Sequence, residues 1–521
     1  MKRPDMITQL EAQEDQPWDV VVIGGGASGL GAALEASSRG FKTLLLELGD
    51  FAQGTSSRST KLIHGGVRYL AQGDIMLVYE ALHERGLLMQ NAPHLVKNQA
   101  FIIPNYDWWG GPYYTIGLKV YDMMAGKLGL GPSEGISREE TIKALPNIKR
   151  DGLRGGVVYY DGQFDDARLA IHLAHTIADQ GGIVINYMKV SGVLKGADER
   201  ITGITATDLE TGKDYKVYSR AVINATGVFV DDVLKMDNVH AEKTTVSSQG
   251  VHLVLDKVFL PGDAAVLIPK TDDGRVLFAV PWYNKVLVGT TDTLVNHPSI
   301  EPRALEEEVE FILATAGKYL TRAPLRSDVR SVFAGLRPLV APKTEGKSTK
   351  EISRGHKISV SLSGLLTMTG GKWTTYRKMG QDVMDKATIV ADLEDRASVT
   401  QHLPLHASIS GVELSDPLRH YGTDMAAVRR IAGEEINMGE LLHPDLQFIK
   451  AEVIWAVREE MARTIADVLA RRVRALFLDA KASMEVAGEV GRLMAKELGW
   501  DQEKLALEIQ KYQNLVKGYM L

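Results

Sequence analysis

Residues 19–47, DVVVIGGGASGLGAALEASSRGFKTLLLE, constrain this chain more than any other stretch. Asp19 to Ile23 is a short apolar run with the β-branched bias of a buried parallel strand. It breaks into Gly24-Gly25-Gly26-Ala27-Ser28-Gly29, after which Leu30 to Arg39 reads as a helix that Gly40 ends. Thr43 to Leu46 is a second apolar strand, finishing on Glu47. Gly24, Gly26 and Gly29 satisfy G-x-G-x-x-G, whose task is a tight turn, close approach of backbone to a pyrophosphate, and close packing of helix on strand. The helix N-terminus offers unpaired N–H groups to the phosphates. Glu47 is placed to accept hydrogen bonds from a ribose hydroxyl. Strand, glycines, helix, second strand and acid fall in register, so the stretch reads as a dinucleotide-binding βαβ unit.

At 521 residues the chain must supply more than this one unit, and two or three domains are expected. A net charge of −6 leaves no global excess of Lys and Arg to neutralise a nucleic acid, which is excluded as a partner. The chain has 0 cysteines, which removes disulfides, thiolate catalysis and Cys-ligated metal centres; no metal site is expected, and a reducing, cytoplasmic setting fits. Residues 1–17 are polar, lack the apolar core of a signal peptide and read as a flexible lead-in. No run of about 18 apolar residues marks a transmembrane helix, so any membrane contact would be peripheral.

Phe51 to Leu70 is a loop dense in donors, including Thr55, Ser56, Ser57, Ser59, Thr60, Lys61, His64 and Arg68. Ile75 to Gln90 reads as an amphipathic helix, and Ile116 to Leu128 as a helix either packed on its own core or lying at an interface with snorkelling lysines. Helix 164–180, strand 182–190, a hairpin over 201–219 and strand 221–227 follow. Short strands between 246 and 330 predict an antiparallel sheet. Beyond Asp392 the pattern is helical, with periodic runs at 461–479 and 482–498. The fold class expected is α/β: a Rossmann-like FAD-binding domain (18–92, 151–245 and 331–390) interleaved with an antiparallel-sheet substrate domain (93–150 and 246–330), plus a C-terminal all-α domain (391–521).

Taken together, GGGASGLGAALEASSRG, TSSRSTKLIHGGVRYL, NATG, VGTTD, GLRPL and GGKWTTYRK resemble the FAD-dependent glycerol-3-phosphate dehydrogenases, within the glycine-oxidase and glutathione-reductase-like flavoprotein group. The resemblance covers about residues 18–385 and continues more loosely through DVLARRVRALFLDA, with no match in the loop at Trp108 and Trp109 or beyond Gly499. It implies oxidation of sn-glycerol 3-phosphate to dihydroxyacetone phosphate, a hydride passing to flavin N5 and electrons onward to a quinone. An oxidase that reduces O₂ and an amino-acid or amine oxidase on the same scaffold are the alternative enzymes, and a flavin-bearing protein without turnover is the non-enzymatic one.

A substrate phosphate calls for several cations, and the matching family positions here are Arg68, Arg337, Arg354 and Lys372, with Tyr69 as a hydroxyl donor. His252 matches the family histidine facing the substrate and is the expected base; Arg337 stabilises the incipient alkoxide, and Lys372 completes the catalytic set. For the flavin, the resemblance assigns Gly24, Gly26 and Gly29 to the pyrophosphate and Glu47 to the ribose, with Ser56, Ser57, Thr60 and Lys61 along the chain between the rings. His64 and Gly65 fall near the isoalloxazine, Val190 at the adenine, and Ala225 and Gly227 on the adenosine side. Gly371, Lys372 and Thr374 sit at a helix start near flavin O2 and N1. Quinone use implies a place on the inner face of the cell membrane, through residues 112–128 or a basic face of Arg463, Arg471, Arg472 and Arg474. A homodimer stays an open option.

Overall fold

The run beginning at Trp18 becomes the middle strand of a parallel sheet (Trp18–Ile23), with Thr43–Leu46 on one side and Asp214–Asn224 on the other. The computed structural model describes the chain except residues 14–15, 72, 108–109, 270, 272–274, 342–354 and 435, and the side chains of residues 68, 71 and 110. Ile183–Ile185 and Leu366–Gly370 extend the sheet in parallel, and His356–Val360 closes one edge antiparallel. Val20, Val21, Val22, Leu44 and Leu45 are wholly buried, as strands covered on both faces must be. Helices Ala27–Ser38 and Tyr376–Val390 cross very closely. A Cβ on Gly31 would lie 2.5 Å from Tyr376 O, and one on Gly380 would lie 2.3 Å from Gly31 O.

A second, mainly antiparallel sheet has Thr245–Asp256 as its spine. Val329–Val340 pairs along one edge of that strand and Lys285–Gly289 along the other. The sheet then runs through Leu277–Trp282, Ala265–Ile268, Val96–Asn105 and Gly155–Phe164 to Leu62–Ile63. Gly155–Phe164 and Val329–Val340 therefore hydrogen-bond into the second sheet. The boundaries expected at 151 and 331 would have assigned both to the nucleotide unit, because a buried strand has the same composition whichever sheet it joins.

Residues 1–17 are not a free lead-in. Arg3–Glu11 is a helix whose Arg3 is buried and donates to Asp208 Oδ1 (2.6 Å), Glu210 Oε2 (3.0 Å) and Asn186 O (3.1 Å).

The C-terminal region is helical, with Met425–Glu434, Lys450–Glu459, Ala487–Leu498 and Gln502–Val516. The run 461–479 is not one periodic helix. Asp467–Arg472 is π-helical, and Arg474 takes a left-handed φ of 61°. The basic face expected there does not exist, since Arg471, Arg472 and Arg474 are buried in ion pairs and Arg463 is paired with Glu210. Spacing alone does not reveal carboxylates waiting on another domain.

His406 joins this region to helix Asp166–Asp179, with Nδ1 2.7 Å from Asp179 Oδ2 and Nε2 2.9 Å from Asp424 Oδ2. Burial opposes its charge, but the two carboxylates prevail and carry its pKa from 6.5 up to about 9. A pKa raised on folding stabilises fully below the unfolded value, and the effect fades as pH climbs through the folded one. His406→Gln is expected to lower the melting temperature most near about pH 6 and least near about pH 9.5. Equal lowering at both would exclude a protonated bridge. Gly29→Ala places a methyl 1.8 Å from Gly24 O; about 1–3 kcal/mol of lost stability is expected in denaturant titrations.

Candidate active site

A cavity of about 750 Å³ lies between the two sheets, within the range of small-molecule sites (about 300–1,000 Å³). One wall is the glycine loop. Gly24 has φ 107°, and a Cβ there would lie 2.8 Å from Ala225 O, so only glycine brings the turn this close to its neighbouring strand. Gly26 caps helix Ala27–Ser38 without a side chain, and Ala27 N donates to Ser56 Oγ (2.9 Å). Glu47 holds the loop from the other side, accepting from Gly25 N (2.6 Å) and Gly49 N (2.8 Å). Burial pushes its carboxyl above the ordinary range against these two bonds. Gly24, Gly26, Glu47, Val190, Ala225 and Gly227 all line this part of the cavity. A glycine cradle, a helix start facing the cavity and an acid one strand away form a set of donors and an acceptor that fits a dinucleotide.

The second sheet contributes the charged wall. Arg337 is pinned from several sides, donating to Thr290 Oγ1 (3.2 Å), Thr291 O (3.1 Å), Gln249 O (3.3 Å) and Ser248 Oγ (3.4 Å). Asp292 lies 3.8 Å from the guanidinium and accepts from Ser248 Oγ. His252 stacks on Phe333 at 5.0 Å, and its Nε2 lies 2.9 Å from Thr60 Oγ1. Burial, with Lys61 and Arg337 nearby, holds the imidazole well below 6.5 and therefore neutral. Lys372 Nζ sits 4.0 Å from the centre of the Tyr69 ring. Thr374 Oγ1 accepts from His64 N at 3.3 Å. His252, Arg337, Lys372, Tyr69, Thr60, His64, Gly371, Thr374 and Ser56 line the cavity.

Four expected residues stand outside it. Lys61 Nζ turns into the interior, onto Asp166 Oδ2 (2.7 Å) and Ser57 O (2.7 Å), so its ammonium does not reach a ligand. Ser57 is buried beside it. Gly65 N donates to Tyr121 OH (2.8 Å), and Gly29 serves the packing of helix on loop. Arg354 and the Arg68 side chain lie outside the described residues. Sequence reading missed Arg58, which lines the cavity and donates to Gln53 O (2.7 Å) and Ile300 O (2.8 Å). It also missed Trp373, whose Nε1 donates to Ser56 O (2.9 Å). Both stand in strings that carried the resemblance, beside residues that were singled out.

Residues 19–377 match the family described as FAD dependent oxidoreductase, and residues 366–505 match the C-terminal domain of alpha-glycerophosphate oxidase. A mitochondrial glycerol-3-phosphate dehydrogenase of Bos taurus is 39% identical over 96% of this chain and 73% of its own length. The mitochondrial counterpart from Arabidopsis thaliana is 38% identical over 98% and 87%. The crystal structure of the glycerol-3-phosphate dehydrogenase from Bacillus halodurans, complexed with FAD, superposes with a TM-score of 0.81 at 28% identity, covering 99% of this chain and 98% of that one. This likeness reaches the segment beyond Gly499 that had matched nothing in the sequence reading. The chain belongs to the FAD-dependent oxidoreductases, in the branch of the glycerol-3-phosphate dehydrogenases.

Proposed function

We propose that the protein oxidises sn-glycerol 3-phosphate to dihydroxyacetone phosphate with FAD in the cavity and passes the electrons to a quinone. The observation that carries this reading is the juxtaposition of Arg337, Lys372, His252 and Tyr69 along the wall facing the glycine cradle. FAD, when bound, supplies the hydride acceptor, flavin N5. Arg337 is the anchor on the chain's side. With its guanidinium already held by four protein acceptors, it meets growing negative charge on the substrate oxygen without reorganising. The proton of the reacting hydroxyl leaves to the hydrogen-bonded pair Thr60 Oγ1 and His252 Nε2, the imidazole being neutral and able to accept it. Lys372 brings the cation that a phosphate dianion requires, with Tyr69 beneath it. Glu47 and the glycine backbone position the pyrophosphate and ribose.

Anaerobic mixing of the FAD-loaded protein with sn-glycerol 3-phosphate is expected to bleach the visible flavin band. Arg337→Ala should slow bleaching by about 10²–10³-fold while FAD stays bound. Absence of bleaching in the wild-type protein would end the substrate assignment. Adding a soluble quinone or air to the bleached protein separates dehydrogenase from oxidase. With substrate saturating, so that ionisation of its free phosphate near about pH 6 does not enter, the rate should show no break near about pH 6.5, because His252 is already neutral there.

A quinone acceptor calls for contact with a membrane surface, and the candidate is helix Gly110–Ala125, which overlaps residues 112–128 singled out in the sequence. No described helix is long and apolar enough to cross a membrane. Tyr113, Ile116, Val120 and Met123 form one exposed stripe on this helix, with Met123 at 75% exposure. Ile75, Met76 and Tyr79 are exposed at the start of helix Ile75–Asn91, which packs beside it through Val78, Leu82, Tyr121 and Ala125. This exposed apolar surface supports a peripheral seat on the membrane's inner face. Co-flotation with anionic phospholipid vesicles is expected for the wild type and is lost in the double variant Ile116→Glu, Met123→Glu. Flotation retained by that variant would move the contact elsewhere.

A further inference from the structure

The helical domain reaches the segment 50–61, part of which lines the cavity, at three separate points along its length. At the first, Arg472 donates to Asp50 Oδ2 (2.7 Å) and Oδ1 (2.9 Å), and Arg471 Nε donates to Asp50 Oδ2 (2.5 Å). At the second, Arg474 donates to Ser57 O (2.7 Å) and to Asp166 Oδ1 (3.1 Å). At the third, Tyr519 OH donates to Glu301 Oε2 (2.9 Å) and accepts from Arg58 Nη2 (3.0 Å). The same Arg58 donates to Gln53 O. The carbonyls of residues 53, 56 and 57 are thereby all drawn onto donors: Arg58, Trp373 and the pair Lys61 with Arg474.

We propose that Arg471, Arg472, Arg474 and Tyr519 are positioning residues by which the helical domain holds this segment against the bound cofactor. The argument rests on FAD being the occupant of the cavity. Each strut is buried, so each contact fixes a geometry that an exposed pair would leave loose. The second strut extends to the proton-accepting pair. Asp166 Oδ2 accepts from Ser59 N (3.0 Å) and from Lys61 Nζ (2.7 Å), and Thr60, held between those residues, meets His252.

The test uses the full-length FAD-loaded protein and follows FAD release by the rise in flavin fluorescence on dilution, with melting of the FAD-free protein measured in parallel. Tyr519→Phe is expected to release FAD about fivefold faster, the effect of one lost hydrogen bond. Glu301→Gln should act in the same direction and stands in should Tyr519→Phe fold poorly. Tyr421→Phe is the control: it removes an equally buried hydroxyl, one that donates to Glu452 Oε1 (3.1 Å) and not to the segment. It should lower melting without changing release. Release at the wild-type rate in Tyr519→Phe and Glu301→Gln, or equal acceleration in Tyr421→Phe, would overturn the proposal. Wild-type protein that retains no FAD would overturn the reading beneath it.

Discussion

Asp50 and Asp166 are carboxylates without access to water, and much of the molecule is arranged to answer them. A buried charge must be met by an opposite charge and by hydrogen bonds, and removing one partner costs about 3–5 kcal/mol. Asp50 obtains Arg471 and Arg472 from 421 and 422 residues further along the chain. Asp166 obtains Lys61 from the loop and Arg474 from the helical domain. Burial works against ionisation of both, yet these cations hold each carboxyl below its ordinary range. Lys61 shows the same contest from the other side. Burial, opposed by Asp166 and reinforced by Arg474, brings its pKa down to about 7. Neither the nucleotide-binding sheet nor the helical domain satisfies its own charges alone.

The cavity divides its chemistry between the sheets. The parallel sheet contributes backbone: glycines, a helix start and strand ends, as open α/β sheets do beyond the carboxyl ends of their strands. The antiparallel sheet contributes His252 and Arg337 from paired strands, where side-chain direction is set by register. In that register Ser248 stands opposite Arg337, so two of the four acceptors of the guanidinium, Ser248 Oγ and Gln249 O, lie on the neighbouring strand. A charged group presented by a rigid strand is better placed for electrostatic work than one carried by a loop.

The elements of residues 19–47 were legible because steric demand leaves glycine alone at Gly24, and a continuous apolar run on each side marks a buried strand. Helix Ile75–Asn91 was equally plain from its amphipathic spacing. What escaped were relations across the chain. Lys61, expected along the chain between the flavin's rings, turns its ammonium inward instead, and its partner Asp166 lies more than a hundred residues away in sequence. The arginines of 471–474 looked like a solvated face for the same reason. The strand Gly155–Phe164 falls in the span 151–245 expected of the nucleotide unit yet pairs into the second sheet, since pairing depends on Val96–Asn105 and not on its own residues. Local sequence specified the elements; long-range pairing specified their use.

The cavity has a consequence for the order in which the molecule assembles. Its walls come from segments near residues 24, 56, 190, 226, 252, 337 and 372, each far from the others along the chain. Closing loops of that length is slow, and contacts between them form only after both sheets exist. The complete binding site therefore exists only once both sheets have formed. A cofactor that recognises only the finished cavity acts on the completed molecule by mass action, deepening the native well without guiding the chain toward it.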